Sequence, residues 1–427
     1  MKKFLLLGVV VIALFFFENN TYADTTVKGV LLGDQIWTEE NSPYFVKGDL
    51  LIDSEATLSI EKGTKIYFSE GGTLNVSGKL LVNGTIDKPV IFDKAPDSIW
   101  YGISLNSDNN KIQYAEILSA GTGSSSTASI NIWKSVGNII DNNKIINGDY
   151  GIEVYGSTVN YKIPGNTISN NIIHNTFYGG IKITDGNQEK IMFNKVYEKN
   201  YFFGVSLVGK NFEVIGNEIF NNRLIGLSVG SNGSTIIGNK VYNNLGVGIV
   251  AGENLKYFYG NSMYNNVKDG KVIDLSLTGS YKSSIDVSNN YWGTIDIEKV
   301  KENIHGGLEN TKPTAIIKSI LKEEFDFNSN YLWLPVDNVT KDKQWKVTLS
   351  KSVDLSTLNT DNIYIIDYSN NKIVVEFDFD SSNNTITITP KENYTPGQKY
   401  SLVISNKLLS IDGDKLSEPI KKDFIVE

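Results

Sequence analysis

The sequence predicts an all-β chain in two parts, a parallel β-solenoid of short coils followed by a β-sandwich. Three observations carry this. A strand-sized segment headed by Asn recurs: Asn171-Ile-Ile-His-Asn, Asn194-Lys-Val-Tyr-Glu, Asn217-Glu-Ile-Phe-Asn, Asn239-Lys-Val-Tyr-Asn and Asn261-Ser-Met-Tyr-Asn start at intervals of 23, 23, 22 and 22 residues. Within each coil a Gly then opens an apolar alternation, as in Gly151-Ile-Glu-Val, Gly180-Ile-Lys-Ile, Gly204-Val-Ser-Leu and Gly226-Leu-Ser-Val. Past Leu321 the period stops and plain two-residue alternation replaces it.

In chain order, Lys2 and Lys3 precede an unbroken apolar run from Phe4 to Phe17, and Thr21-Tyr22-Ala23 sets small residues where a signal peptidase reads. Residues 1–23 are therefore expected to be a secretory signal peptide. The run falls short of the roughly 20 residues that span hydrocarbon, which favours removal over anchoring. Strand-like runs follow at Leu58-Ser-Ile, Ile66-Tyr-Phe, Leu74-Asn-Val, Leu80-Leu-Val and Val90-Ile-Phe, divided by Gly63, Gly71-Gly72, Gly78 and Gly84. The Gly/Ser stretch 121–129 reads as a loop.

The strict coils run from Asn143 to Asn290. A third short strand, as in Thr235-Ile-Ile-Gly-Asn, returns each coil to the next Asn. A three-strand coil cannot bury its apolar face alone, but stacked coils share one core with parallel strands about 4.8 Å apart. Asn at one coil position suits an inward ladder of amides, and Gly suits left-handed corners.

The stretch from Trp37 through Pro43-Tyr44, Gly48-Asp49-Leu50 and Gly84-Thr-Ile-Asp-Lys-Pro-Val-Ile-Phe resembles the N-terminal coils of bacterial right-handed parallel β-helix (pectin-lyase-like) proteins. Asn289-Asn-Tyr-Trp-Gly-Thr resembles the motif that closes many such helices, with a short helix behind it over about Asp296 to Asn303. The resemblance implies a β-helix over residues 24–320. It does not name an activity, since this architecture hosts lyases, hydrolases, epimerases, adhesins and copper-site maturation proteins.

Residues 331–427, after a linker at 321–330, alternate in Trp345-Lys-Val-Thr-Leu, Ile363-Tyr-Ile-Ile, Ile373-Val-Val-Glu-Phe, Thr385-Ile-Thr-Ile-Thr, Tyr400-Ser-Leu-Val-Ile and Phe424-Ile-Val. Turn residues separate these runs, a β-sandwich pattern. Trp345 to Asp354, Asn362-Ile-Tyr and Thr389-Pro390 to Tyr400 resemble the Ig-like domains of bacterial S-layer and other surface proteins, which implies a spacer or docking unit. Asp412-Gly413-Asp414 offers two carboxylates for Ca²⁺, though turn chemistry explains them first.

Composition narrows the partners. The chain carries a formal net charge of −8 and Arg223 is its only arginine, which excludes nucleic acid and anionic membrane surfaces as expected partners. With no cysteine there is no disulfide scaffold, thiol nucleophile or Cys-ligated metal. His174 and His305 lie far apart in the coil order, an unpromising pair for a transition metal.

Three residues past each repeat Asn stand His174, Tyr197, Phe220, Tyr242 and Tyr264. Alternation turns them outward, where a row of aromatic faces can stack on sugars. An aromatic ladder that stabilises the stack by cross-strand pairing explains them first. Lyase chemistry needs a base and a cation for the uronate, and glycoside hydrolysis a pair of carboxyls. The outward positions Glu153, Lys182, Ser206, Ser228 and Val250, with Asp274 on the next coil, supply no adjacent acidic pair. Asp269, Asp274 and Asp286 lie close together only in sequence.

The expectation is a secreted or cell-surface, non-catalytic β-helix protein that binds polysaccharide or envelope glycan through the aromatic column, with other surface proteins as further partners and no implied cofactor. A carbohydrate-active lyase or hydrolase and a structural surface-layer component are the alternatives. The terminal Phe424-Ile-Val-Glu carries no Leu-Pro-x-Thr-Gly signal or hydrophobic tail, so release or non-covalent retention is expected.

Overall fold

The computed structural model describes residues 25–121, 127–156, 165–198, 200–280, 283–305, 313–324, 332–349, 351–367, 371–416 and 419–427. The leader expected at 1–23 lies outside them, as do the middle of the 121–129 stretch and most of the 321–330 linker.

From Lys65–Ser69 to Tyr257–Tyr259 each coil places one strand in each of three parallel rows. Before them, Thr25–Leu31 and Tyr44–Ile52 each run through rows 1 and 2 as one strand. Row 1 follows the repeat Asn (Lys195–Tyr197, Glu218–Phe220, Lys240–Tyr242), row 2 follows the Gly (Gly179–Asn187, Phe203–Lys210, Ile225–Asn232), and row 3 leads back (Lys190–Met192, Glu213–Ile215, Thr235–Ile237). Row 3 is a sheet of 10 strands, from Gln35–Trp37 to Tyr257–Tyr259. Coil-to-coil register is in phase, so like residues stack: Ile173, Val196, Ile219, Val241 and Met263 pair in row 1, and Ile181, Val205, Leu227, Ile249 and Leu275 in row 2. All are fully buried in one continuous core.

Branched apolar side chains fill the rows, while the corners, which must also go inside, are polar. Amide ladders solve this. Asn143, Asn171, Asn194, Asn217, Asn239, Asn261 and Asn290 form one, each passing an amide N–H to the side-chain oxygen of the next. The Asn217 oxygen accepts from the Asn194 backbone N–H at 2.9 Å and its amide at 3.0 Å, while its own amide donates to Asn239 at 2.9 Å and to the Ile191 carbonyl at 2.7 Å. Nearly all of the group's hydrogen-bonding capacity is used, as burial demands.

Two further ladders line the other corners. Asn200, Asn222, Asn244 and Asn266 run from row 1 to row 2, and Asn110, Asn138 and Asn166 from row 2 to row 3, the last ending on buried Glu189. Asp274 ends the former. It is not on the outward flank, as its spacing suggested, but fully buried, accepting from the Asn266 amide and the Asn303 amide at 2.9 Å each. Ser276 takes the outward position in register with Val250.

The repeat glycines also serve differently from the expectation. Left-handed corners are supplied largely by Asn, as at Asn221, Asn243 and Asn265 (φ 54°, 53° and 57°). Gly204 and Gly226 open the row 2 strands, where a Cβ would stand 2.6 Å from the Ile219 or Val241 methyl and within 2.8 Å of a ladder amide. They are glycines because the core and ladder leave no room.

Ile297–Glu302 is the expected short helix, with the Asp296 carboxylate accepting the Glu298 N–H at its start. Beyond it, Thr314–Ile316 pairs with Ser284–Asp286.

The C-terminal unit has two sheets. One runs Leu332–Val339, Ile420–Val426, Lys399–Ile404, Ile363–Asp367, Lys372–Ile373, and the other Trp345–Thr348, Thr385–Pro390, Val375–Asp380. They share a core of Trp345, Ile363, Ile386, Tyr394 and Phe424. The run Ile373-Val-Val-Glu-Phe, read as one strand, is two: the chain changes sheets at exposed Val374.

Replacing Asn217 by Ala should strand the Asn194 amide and lower stability by about 2–4 kcal/mol, since buried polar groups lose their partners. A denaturant midpoint shifted by less than the equivalent of about 1 kcal/mol would contradict the ladder's importance.

Burial raises the Asp274 carboxyl to about 6, against the hydrogen bonds from Asn266 and Asn303. The folded state therefore holds this proton more tightly than the unfolded chain does, and stability falls as pH rises from about 4 through 6. Asp274→Asn should remove that loss, on the order of 2–3 kcal/mol between pH 4 and pH 7. Urea titrations at both pH values, compared between wild type and variant, check it. Equal pH dependence would refute it.

Candidate functional site

Row 1 turns its aromatic column outward, and the rings face one another. His174–Tyr197, Tyr197–Phe220, Phe220–Tyr242 and Tyr242–Tyr264 stack at 4.9, 5.0, 5.0 and 5.3 Å between centroids, within 21° of parallel. All five are half-buried. Stacking along the coil axis uses both faces of each interior ring, so solvent meets rims. Lys195 Nζ lies 5.3 Å from the Phe220 centroid and pairs with Glu218 at 3.0 Å, and the Tyr242 hydroxyl donates to Glu218 at 2.8 Å. Burial first, then Glu218, push the Tyr242 hydroxyl up. Burial holds the His174 imidazole below its usual value. Glu324, past the last coil, bonds Lys240 at 2.6 Å, so the exit segment crosses this flank.

Row 2 presents a different surface. Register aligns Ser104, Asn131, Glu153, Lys182, Ser206 and Ser228 in one outward line. At its centre Lys182 Nζ donates to Glu153 at 2.7 Å, with side chains 32% and 18% exposed. Burial pulls the Lys182 ammonium down, but the Glu153 hydrogen bond and charge more than reverse this. Asn131 Oδ1 is buried with no hydrogen-bond partner among the described residues.

Aromatic groups flank this line on both sides. Trp133 stacks on Tyr155 at 4.6 Å, both exposed, and the next residue in register is Thr184, which has no ring. Tyr150 stacks on Tyr178 at 5.2 Å under Lys182 Nζ, 4.9 Å from the ring centroid. The Trp133–Tyr155 stack ends at Thr184, whereas Phe202 continues the other at 6.0 Å from Tyr178, with Phe203 6.1 Å from Tyr150. Periodicity passes over Trp133 and Tyr155 because their ring does not recur on the next coil, although Ser129-Ile-Asn-Ile-Trp and Gly151-Ile-Glu-Val-Tyr share an offset that marks them.

Other candidates disperse. The Glu153 line holds a single carboxylate, so it does not supply the carboxyl pair of glycoside hydrolysis. Asp286 pairs with Lys318 at 3.1 Å, exposed Asp269 sits in a left-handed turn, and Asp274 is in the core. Between Asp412 and Asp414 stands the Lys351 ammonium, 2.5 Å from Asp414 and 3.4 Å from Asp412, where the sequence suggested Ca²⁺. Among the described residues no three His, Asp or Glu side chains gather as a metal ligand set.

Residues 101–267 match the family model described as a right handed beta helix region, and residues 335–425 that of a bacterial Ig-like domain. The solenoid is thus a right-handed parallel β-helix and the sandwich a bacterial Ig-like domain. No curated protein matches the chain. Among solved structures, the S-layer protein SbsC is similar at 22% identity over 22% of this chain and 13% of its own (TM-score 0.18). The periplasmic alginate epimerase AlgG is similar at 15% identity over 70% and 77% (TM-score 0.35), and the Dettilon tailspike protein at 10% over 89% and 71% (TM-score 0.34). The chain spans 13% and 23% of the two S-layer chains it matches.

Proposed function

We propose that the protein is exported through its leader and acts at the cell surface or beyond as a non-catalytic glycan-binding protein, meeting its ligand on the row 2 flank. One observation carries this reading: Trp133 and Tyr155, 44% and 37% exposed, stand as a two-ring stack beside the Asn131–Glu153–Lys182 line. Open apolar rings next to fixed hydrogen-bonding groups suit the two faces of a sugar, C–H on one side and hydroxyls around the edge. The Ig-like domain is the spacer or docking unit. The column of His174, Tyr197, Phe220, Tyr242 and Tyr264, expected to bind sugar, takes a supporting part here, because its rings spend their faces on each other.

The full chain should be retained on an insoluble cell-wall polysaccharide or give signal on a glycan array. Trp133→Ala with Tyr155→Ala should weaken that binding by about tenfold or more. Tyr197→Ala, Phe220→Ala and Tyr242→Ala together should lower the unfolding temperature, at roughly 0.2–1 kcal/mol per lost cross-strand pair, with binding kept. Binding lost only in the triple variant, with stability intact, would move the ligand to the column. No binding by the wild type would end the glycan reading.

A further inference from the structure

At the corner where row 1 turns into row 2, a second aromatic stack stops short. Arg223 lies over Tyr201, guanidinium carbon to ring centroid 4.3 Å, and Tyr201 is parallel to Phe177 within 13° at 6.3 Å. The stack ends at Phe177. On the preceding coil the backbone beside it is Gly148, whose carbonyl accepts the Phe177 N–H, and the Phe177 ring meets Tyr178 edge-on at 4.7 Å. Phe177 is 51% exposed. It borders a cleft of about 480 Å³ shared with Ile99, Ser119, Asn147, Asn175 and Tyr201.

The cleft's polar wall is made of amides. The Asn175 amide donates to the Asn147 side-chain oxygen. That bond leaves the Asn147 NH₂, the second Asn175 N–H and the Asn175 oxygen without partners among the described residues. Both residues hold left-handed backbone, with φ of 60° and 58°, which fixes where the amides start. A neighbouring donor and acceptor opposite a ring match the vicinal hydroxyls and C–H face of a pyranose.

We infer that this corner cleft is a separate subsite for one uncharged hexopyranose unit, stacked on Phe177 and hydrogen-bonded by Asn147 and Asn175. Only the class of ligand rests on the glycan reading above; the site shares no residue with the Trp133–Tyr155 flank. A uronate is disfavoured because the amides that would hold the sugar carry no charge, and the cleft's one cation and one anion, Lys94 and Asp149, leave its lining without net charge to answer a carboxylate.

Saturation-transfer NMR on the full chain, with a panel of neutral methyl hexopyranosides and methyl glucuronide, tests the site. At least one neutral glycoside should show transfer to its C–H protons, and the glucuronide none. Phe177→Ala should weaken that signal by about tenfold, Phe177→Trp should keep it, and Trp133→Ala should leave it untouched. Phe177→Leu, which keeps apolar bulk without a ring, should behave as Ala does and guards against a folding artefact. Absence of transfer from every neutral glycoside, or transfer indifferent to Phe177→Ala, overturns the subsite. Polysaccharide retention lost with Trp133 while the monosaccharide signal survives would separate this site from the flank.

Discussion

The hydrogen bond passed from one buried Asn amide to the next is what the rest of the structure depends on. A coil has three corners, and a corner must turn the backbone while leaving peptide groups pointing inward. The ladders satisfy those groups in a buried interior and hold each coil at the same rotation as its neighbour. Residues such as Val196 and Ile219 then fall on one another, and one core forms from units that could not fold singly. The same demand sets the glycine positions, since the ladder amides of Asn222 and Asn244 occupy the space a Cβ at Gly204 or Gly226 would need.

In-phase stacking also sorts the surface. A side chain that recurs in every coil meets its own copy above and below, and its binding capacity is spent there, as in the His174 to Tyr264 column. Where a series is cut short, an unsatisfied group appears. Trp133–Tyr155 stops at Thr184, and the Phe177 stack stops at Gly148. The proposed recognition surfaces of this solenoid both lie at breaks in the repeat.

That division explains what the sequence made legible. The strict coils could be read because Asn171, Asn194, Asn217, Asn239 and Asn261 recur at nearly constant spacing, and each inward position accepts only apolar residues. The column was visible for the same reason, yet exposure of ring faces is a matter of side-chain direction and was not. Trp133, Tyr155 and Phe177, the rings of the proposed sites, escaped notice because a search for recurrence discards single residues. Asp274 looked outward by counting, and only its ladder partners Asn266 and Asn303 show it as the carboxylate version of an Asn rung. The sheet change at Val374 leaves no mark in alternation, because both halves of the run alternate correctly.

The ladders also have a direction. Every amide hands its proton toward the C-terminal end, so each interior rung presents the same acceptor behind and the same donor ahead. A coil added or removed between Asn194 and Asn261 would meet identical sockets on both sides. The ends differ: ionised Asp274 only accepts, and takes donors from Asn266 and from Asn303 beyond it, while the Asn290 amide turns to backbone carbonyls. Solenoid length is therefore not written in its interior coils. It is a property of the terminators, which leaves the number of coils free to drift by duplication while the chemistry of closure stays put.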